Sequence, residues 1–131
     1  MNGKYLNLDQ STFFEYLRLT RQEDDNGAVV VTMNVEDLHK DASGNVSSGV
    51  YYTVLDVALG TAVSEQMNGF SATIDMHVHV FNQEKIEKLV CKGYLINVNG
   101  NIGSGRGDLF DGNDVLVATG MATFKLMKNI E

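Results

Sequence analysis

The stretch "SSGVYYTVLDVALGTAV", Ser47–Val63, decides the fold. Its valines, tyrosines and threonines suit a strand. Its length does not, because an ordinary strand averages about 5–6 residues. An apolar run of this length reads as a buried helix of about four turns. Ser47 and Ser48 are cap candidates at its start, and Asn68-Gly69 is a stop signal beyond its end. Such a helix has almost no polar face and is expected to be buried on all sides. It carries one charge, Asp56, near its middle.

The flanking sequence supplies the walls. Upstream, "STFFEYL" (Ser11–Leu17) reads as a short amphipathic helix with Ser11 as its cap. Asn26-Gly27 is a hairpin signal followed by the β-branched run "AVVVTMNV". "HKDASGNVSSG" is a polar loop leading into the central helix. Downstream, "SATIDMHVHVF" alternates: Ala72, Ile74, Met76, Val78 and Val80 are expected on one face, Thr73, Asp75, His77 and His79 on the other. "IEKLVCKGYLINV", "NIGSGRGDLF" and "DVLVATGMATFKL" complete the strands, separated by Asn99-Gly100 and Asp111-Gly112. The order is helix, two strands, long helix, four strands, with no linker or repeat. We read residues 1–131 as a single α+β domain, a long central helix wrapped by a curved antiparallel sheet of five to six strands. That is the hot-dog arrangement. An open sheet edge without prolines invites pairing with a second copy, so a homodimer is expected.

Composition narrows the function. The net charge is −7 and the basic residues are scattered, which argues against nucleic-acid binding. No apolar run is long enough to span a bilayer, so no membrane partner is expected. The N-terminus lacks the pattern of a signal peptide. One cysteine, Cys91, cannot form an internal disulfide or a cysteine-built zinc cage. These features fit the cytoplasm.

A charged group left in an apolar setting costs several kcal/mol even after relaxation, by an order-of-magnitude estimate. Asp56 therefore faces a polar partner or lines a cavity, where a carboxylate is a candidate base or nucleophile. The helix start is the second candidate element. Ser48 and Gly49 sit where unpaired N–H groups bind anions and developing oxyanions. Asp56 and Gly49 are roughly 10 Å apart along one helix at about 1.5 Å per residue. One carbonyl cannot reach both in the same chain. If both act, two antiparallel helices lie side by side, and each Asp56 meets the helix start of the partner.

Together, "SGNVSSGVYYTVLDVALGTAV", "FSATIDMHVHVF" and "NGNIGSGRGDLFDGNDVLVATGMATFK" resemble the hot-dog thioesterases of the phenylacetate-degradation (PaaI-type) group over roughly residues 12–126. The resemblance implies an acyl-CoA thioesterase with no separate cofactor, coenzyme A arriving as part of the substrate. It implies a homodimer that assembles as a dimer of dimers. Asp56 falls on the family's catalytic carboxylate. Ser48 and Gly49 fall on a glycine pair whose backbone N–H polarises the thioester carbonyl, and Thr73 on a strand hydroxyl that positions water. Ser47 stands where the family has histidine, Asp41 where it has asparagine, and both are placed at the substrate. His77 replaces a strand asparagine. Lys85 and Lys88 are candidates for the phosphates of coenzyme A. The departures at Ser47, Ser48 and Asp41 also suit a different reading, a non-catalytic acyl-CoA-binding or assembly protein on the same fold.

Other motifs carry less. "DMHVH" places Asp75, His77 and His79 together, but a zinc site needs a further ligand and only His39 is left, so no metal is expected. "GSGRG" lacks the context of a phosphate loop and suits strands bending closely around a helix. "RGD" at Arg106 falls inside a strand. Cys91 alternates with apolar neighbours and reads as a small buried hydrophobe. No Gly-x-Ser-x-Gly elbow is present for a serine-triad hydrolase.

Overall fold

The central stretch forms one helix, α1, over Ser48–Met67, and a computed structural model describes residues 16–127 around it. Asn68 ends the helix in the left-handed conformation, at φ 58°, with its N–H donating to the Ser64 carbonyl. Asparagine tolerates that conformation better than most residues, so the stop signal acts as read. The expected helix at Ser11–Leu17 lies outside the described residues except for Tyr16 and Leu17, which are helical.

Six antiparallel strands surround α1: β1 (Thr20–Asp25), β2 (Ala28–Asn34), β3 (Phe70–Val80), β4 (Lys88–Asn99), β5 (Ile102–Asp111) and β6 (Leu116–Met127). Their order in the sheet is β1-β2-β4-β5-β6-β3. Asn26 and Gly27 join β1 to β2 at φ 52° and 83°, the paired positive angles that a tight hairpin demands. From β1 onward, the sequence-derived order of two strands, a long helix and four strands therefore holds. β1 and β3 are the edges.

Helix and sheet share one core. Tyr51, Leu55 and Leu59 of α1 are fully buried with Leu89, Cys91, Leu109 and Phe124 of the sheet. Each large apolar side chain buried this way contributes about 1.5–3 kcal/mol. Glycines set how closely the layers approach. A Cβ on Gly93 would lie 2.9 Å from the Ala58 carbonyl oxygen, and one on Gly107 2.4 Å from Leu59 Cδ1. The "GSGRG" run is thus the inner lining of β5 against α1. The intervening Arg106 points outward and stacks over the Tyr94 ring at 5.0 Å.

Two expectations need correction. The first concerns β3. Thr73 pairs with Phe124 and Asp75 with Thr123, so Ile74 is an extra residue, a β-bulge. The bulge reverses the alternation. Ser71 and Thr73 hydrogen-bond to the helix, Met76, Val78 and Val80 pack on the core, and Ile74 is 56% exposed. Thr73 therefore does not share a face with Asp75, His77 and His79.

The second concerns α1. It is not covered on all sides within one chain. Gly49 and Tyr52 are exposed, and Thr53, Asp56 and Gly60 are half-buried. These positions fall three or four residues apart, which makes one stripe along the helix.

Candidate active site

Asp56 lies on that stripe, in the middle of α1 and beside the β3 edge. Thr73 Oγ1 donates to Asp56 Oδ1 at 2.7 Å. The bulge at Ile74 is the local reason, because it turns the Thr73 side chain toward the helix. A second tie lies two turns further along α1, where the Ser64 and Ser71 hydroxyls are 2.7 Å apart. Asp56 Oδ2 has no partner among the described residues. One carboxylate oxygen is thus anchored by a neutral donor, and the other is left for chemistry. The charge on a half-buried Asp56 is tolerated because it keeps partial hydration and gains a hydrogen bond.

The helix start is the second part of the site. Ser47 occupies the N-cap but makes no side-chain cap hydrogen bond. The backbone N–H groups of Ser48 and Gly49 have no protein acceptor among the described residues. Unpaired donors of this kind are what a helix offers to an anion or an oxyanion.

The loop before the helix is held from several directions. Asp41 Oδ1 accepts the backbone N–H groups of Ser43 at 2.9 Å and Asn45 at 3.1 Å. Asp41 thus staples its own loop. Ser47 N–H donates to the His39 carbonyl at 3.0 Å. His39 is buried and uses both ring nitrogens: Nδ1 accepts from Glu36 N–H at 2.9 Å, which leaves Nε2–H to donate to the Tyr16 carbonyl at 2.7 Å.

Sequence reasoning missed Gln83, in the β3–β4 loop. Its backbone carbonyl accepts Val46 N–H at 3.0 Å. Its side-chain Nε2 donates to the Val46 carbonyl at 2.6 Å and to Ser48 Oγ at 3.1 Å. Its partners lie 35–37 residues away in sequence, and no local pattern reveals such a clamp. Tyr51 supports the same loop by donating to the Asn82 carbonyl at 2.8 Å. Burial, with help from the Asp111 charge, pushes the Tyr51 phenol up to about 12. Lys85 and Lys88 are exposed, in and just after the loop that carries Gln83.

The histidines of β3 stand apart from this site. His77 Nε2 is 3.3 Å from Asp75 Oδ2 on the outer face of the sheet. A hollow of about 370 Å³ there is lined by Asp75, His77, His79, Arg106 and Met121 among others, and it does not include Asp56. His39 is committed elsewhere, and no group of three metal-ligating side chains occurs among the described residues. Cys91 is buried, and burial raises its thiol further from ionisation, so it is no nucleophile.

No protein-family model matches the chain, and no curated protein matches it by sequence. Solved structures do match. A thioesterase from Haemophilus influenzae superposes with a TM-score of 0.87 over 100% of this chain and 94% of its own, at 16% identity. The E. coli PaaI protein of the phenylacetic acid degradation operon gives 0.83 over 95% and 91%, at 14% identity. A thioesterase-superfamily protein gives 0.83 over 91% and 92%, at 21% identity. With one helix packed on a six-stranded antiparallel sheet, the chain has the hot-dog fold of thioesterase-superfamily structures.

Proposed function

We propose that the protein is an acyl-CoA thioesterase, hydrolysing a thioester to a free acid and coenzyme A. The Asp56–Thr73 pair on the uncovered helix stripe carries this reading. Similarity to structures named as thioesterases supports it. Asp56 acts as base or nucleophile. As base, Oδ2 takes a proton from water as the oxygen adds to the thioester carbon. The C–S bond then breaks and the thiolate regains that proton. A thiolate leaves readily, so no catalytic histidine is needed. A positioned base contributes about 10²–10⁴-fold and one oxyanion donor about 10²–10³-fold.

The oxyanion donors are the N–H groups of Ser48 and Gly49 from a second copy. Within one chain they are roughly 10 Å from Asp56 along the helix. A homodimer that covers the open stripe of α1 and continues the sheet at β3 joins the two halves, giving two sites. Pairing of two dimers is an extension of the same scheme. Lys85 and Lys88, on the segment next to the helix start, meet the phosphates of coenzyme A. The cytoplasm, where acyl-CoA is available, is the proposed location.

Thiol release from a panel of acyl-CoAs, measured beside Asp56→Asn, tests the proposal. Hydrolysis above background that the variant abolishes is expected. Failure on every substrate, or an equally fast variant, overturns it. Acyl-CoA binding without hydrolysis would instead favour a carrier or assembly role.

A further inference from the structure

The Ser48 side chain offers a donor that a glycine at this position cannot. Gln83 Nε2 donates to Ser48 Oγ at 3.1 Å and, more tightly, to the Val46 carbonyl at 2.6 Å. The Gln83 carbonyl closes the loop by accepting Val46 N–H. Gln83 is thereby held by two bonds to Val46, one donated by its side-chain amide and one accepted by its backbone carbonyl, and Val46 is itself fully buried. Ser48 Oγ must therefore act as the acceptor toward Gln83. Its own proton then points elsewhere, and no acceptor takes it among the described residues. Ser48 is only half-buried, so that proton is accessible. The backbone N–H groups of Ser48 and Gly49 are unpaired beside it.

We infer that the Ser48 hydroxyl, oriented by Gln83, donates a hydrogen bond to the thioester carbonyl alongside the backbone N–H groups. The inference rests on the thioesterase reading. It makes Ser48 a catalytic residue through its side chain and Gln83 a positioning residue acting through it. Accepting a bond from Gln83 also polarises the hydroxyl and strengthens it as a donor. A preorganised donor of this type acts most strongly on the negative oxygen of the tetrahedral intermediate.

The test uses the whole protein and two non-hydrolysable ligands: a ketone analogue of acyl-CoA, which keeps the carbonyl, and an alkyl-CoA thioether, which lacks it. Ser48→Ala is expected to lower kcat about 10²-fold, the effect of losing one oxyanion donor. It should weaken ketone binding about fivefold, the scale of one neutral hydrogen bond, and leave thioether binding unchanged. Ser48→Thr should restore most of both. Gln83→Met should reduce the preference for ketone over thioether only when Ser48 is present.

An active enzyme whose kcat is untouched by Ser48→Ala overturns the inference. So does equal loss of both ligands, which reports a disturbed loop. If the wild-type protein binds CoA ligands but hydrolyses no thioester, the thioesterase reading fails, and the ketone–thioether comparison still decides what Ser48 does. If it binds neither analogue, both fall.

Discussion

Thr73 Oγ1 and Asp56 Oδ1 meet at 2.7 Å across the gap between edge strand β3 and helix α1. The contact exists because Ile74 is inserted as a bulge one residue later. It fixes one oxygen of the carboxylate and leaves the other unengaged. Thr73→Val is expected to lower kcat about tenfold to hundredfold, since a hydrogen bond to a charged group is worth about 1.5–3 kcal/mol. Thr73→Ser should retain most of the rate. Steady-state kinetics with both variants checks this.

Asp56→Asn should behave differently from a core substitution. Thioester hydrolysis is expected to fall by about 10²–10⁴-fold. The urea midpoint should stay near that of the wild type, because the amide keeps the size of the carboxylate and can still accept from Thr73. A large loss of stability with the activity loss would place Asp56 in a structural role.

The uncovered stripe of α1 and the β3 edge should be one interface. Tyr52 is 46% exposed and Ile74 56% exposed within a single chain. Sedimentation is expected to give a dimer or a multiple of one. Ile74→Lys places a charge at the edge and should shift the protein toward monomer. Activity should be lost with it although Asp56 and Thr73 remain.

Gly93→Ala should destabilise the fold where β4 packs against α1. The added Cβ would stand 2.9 Å from the Ala58 carbonyl oxygen, a backbone atom that cannot rotate away. Overpacking of this kind costs about 1–3 kcal/mol. Denaturant unfolding of the purified variant measures it.

Alkaline pH should unfold the protein through two buried groups. Tyr51 is raised from 10.0 to about 12, and Cys91 is raised from 9.0, both chiefly by burial. Each is an acid whose neutral form the folded state prefers. Their contribution is therefore complete below their ordinary values and lost as pH rises above them. Stability should begin to fall above pH 9 from Cys91, and more steeply between 10 and 12 from Tyr51. Tyr51→Phe and Cys91→Ala should each flatten the corresponding part of the curve, whatever they do to stability at neutral pH.

The sequence by itself determined the elements. Ser47–Val63 is too long and too apolar for an ordinary strand, and length decided for a helix. Asn68 and Gly27 mark their turns because few residues accept a positive φ. The close approach of the β5 glycines to the helix was legible from glycine's place in a strand, and the burial of Cys91 from its alternation with apolar neighbours. Asp56 was legible because a lone charge in an apolar helix demands a partner.

The partner itself was decided only in three dimensions. Strict alternation put Thr73 with Asp75 and His77, on the face away from the helix. A bulge, which depends on how β3 fits β6 across the sheet, moved it to the other face. Gln83 joins the helix start through contacts 35–37 residues distant, where no periodicity reaches. Asp41 turned inward to its own loop because two backbone N–H groups needed an acceptor. Local patterns report the conformation that each segment prefers. Long-range pairing decides which side chains finally meet.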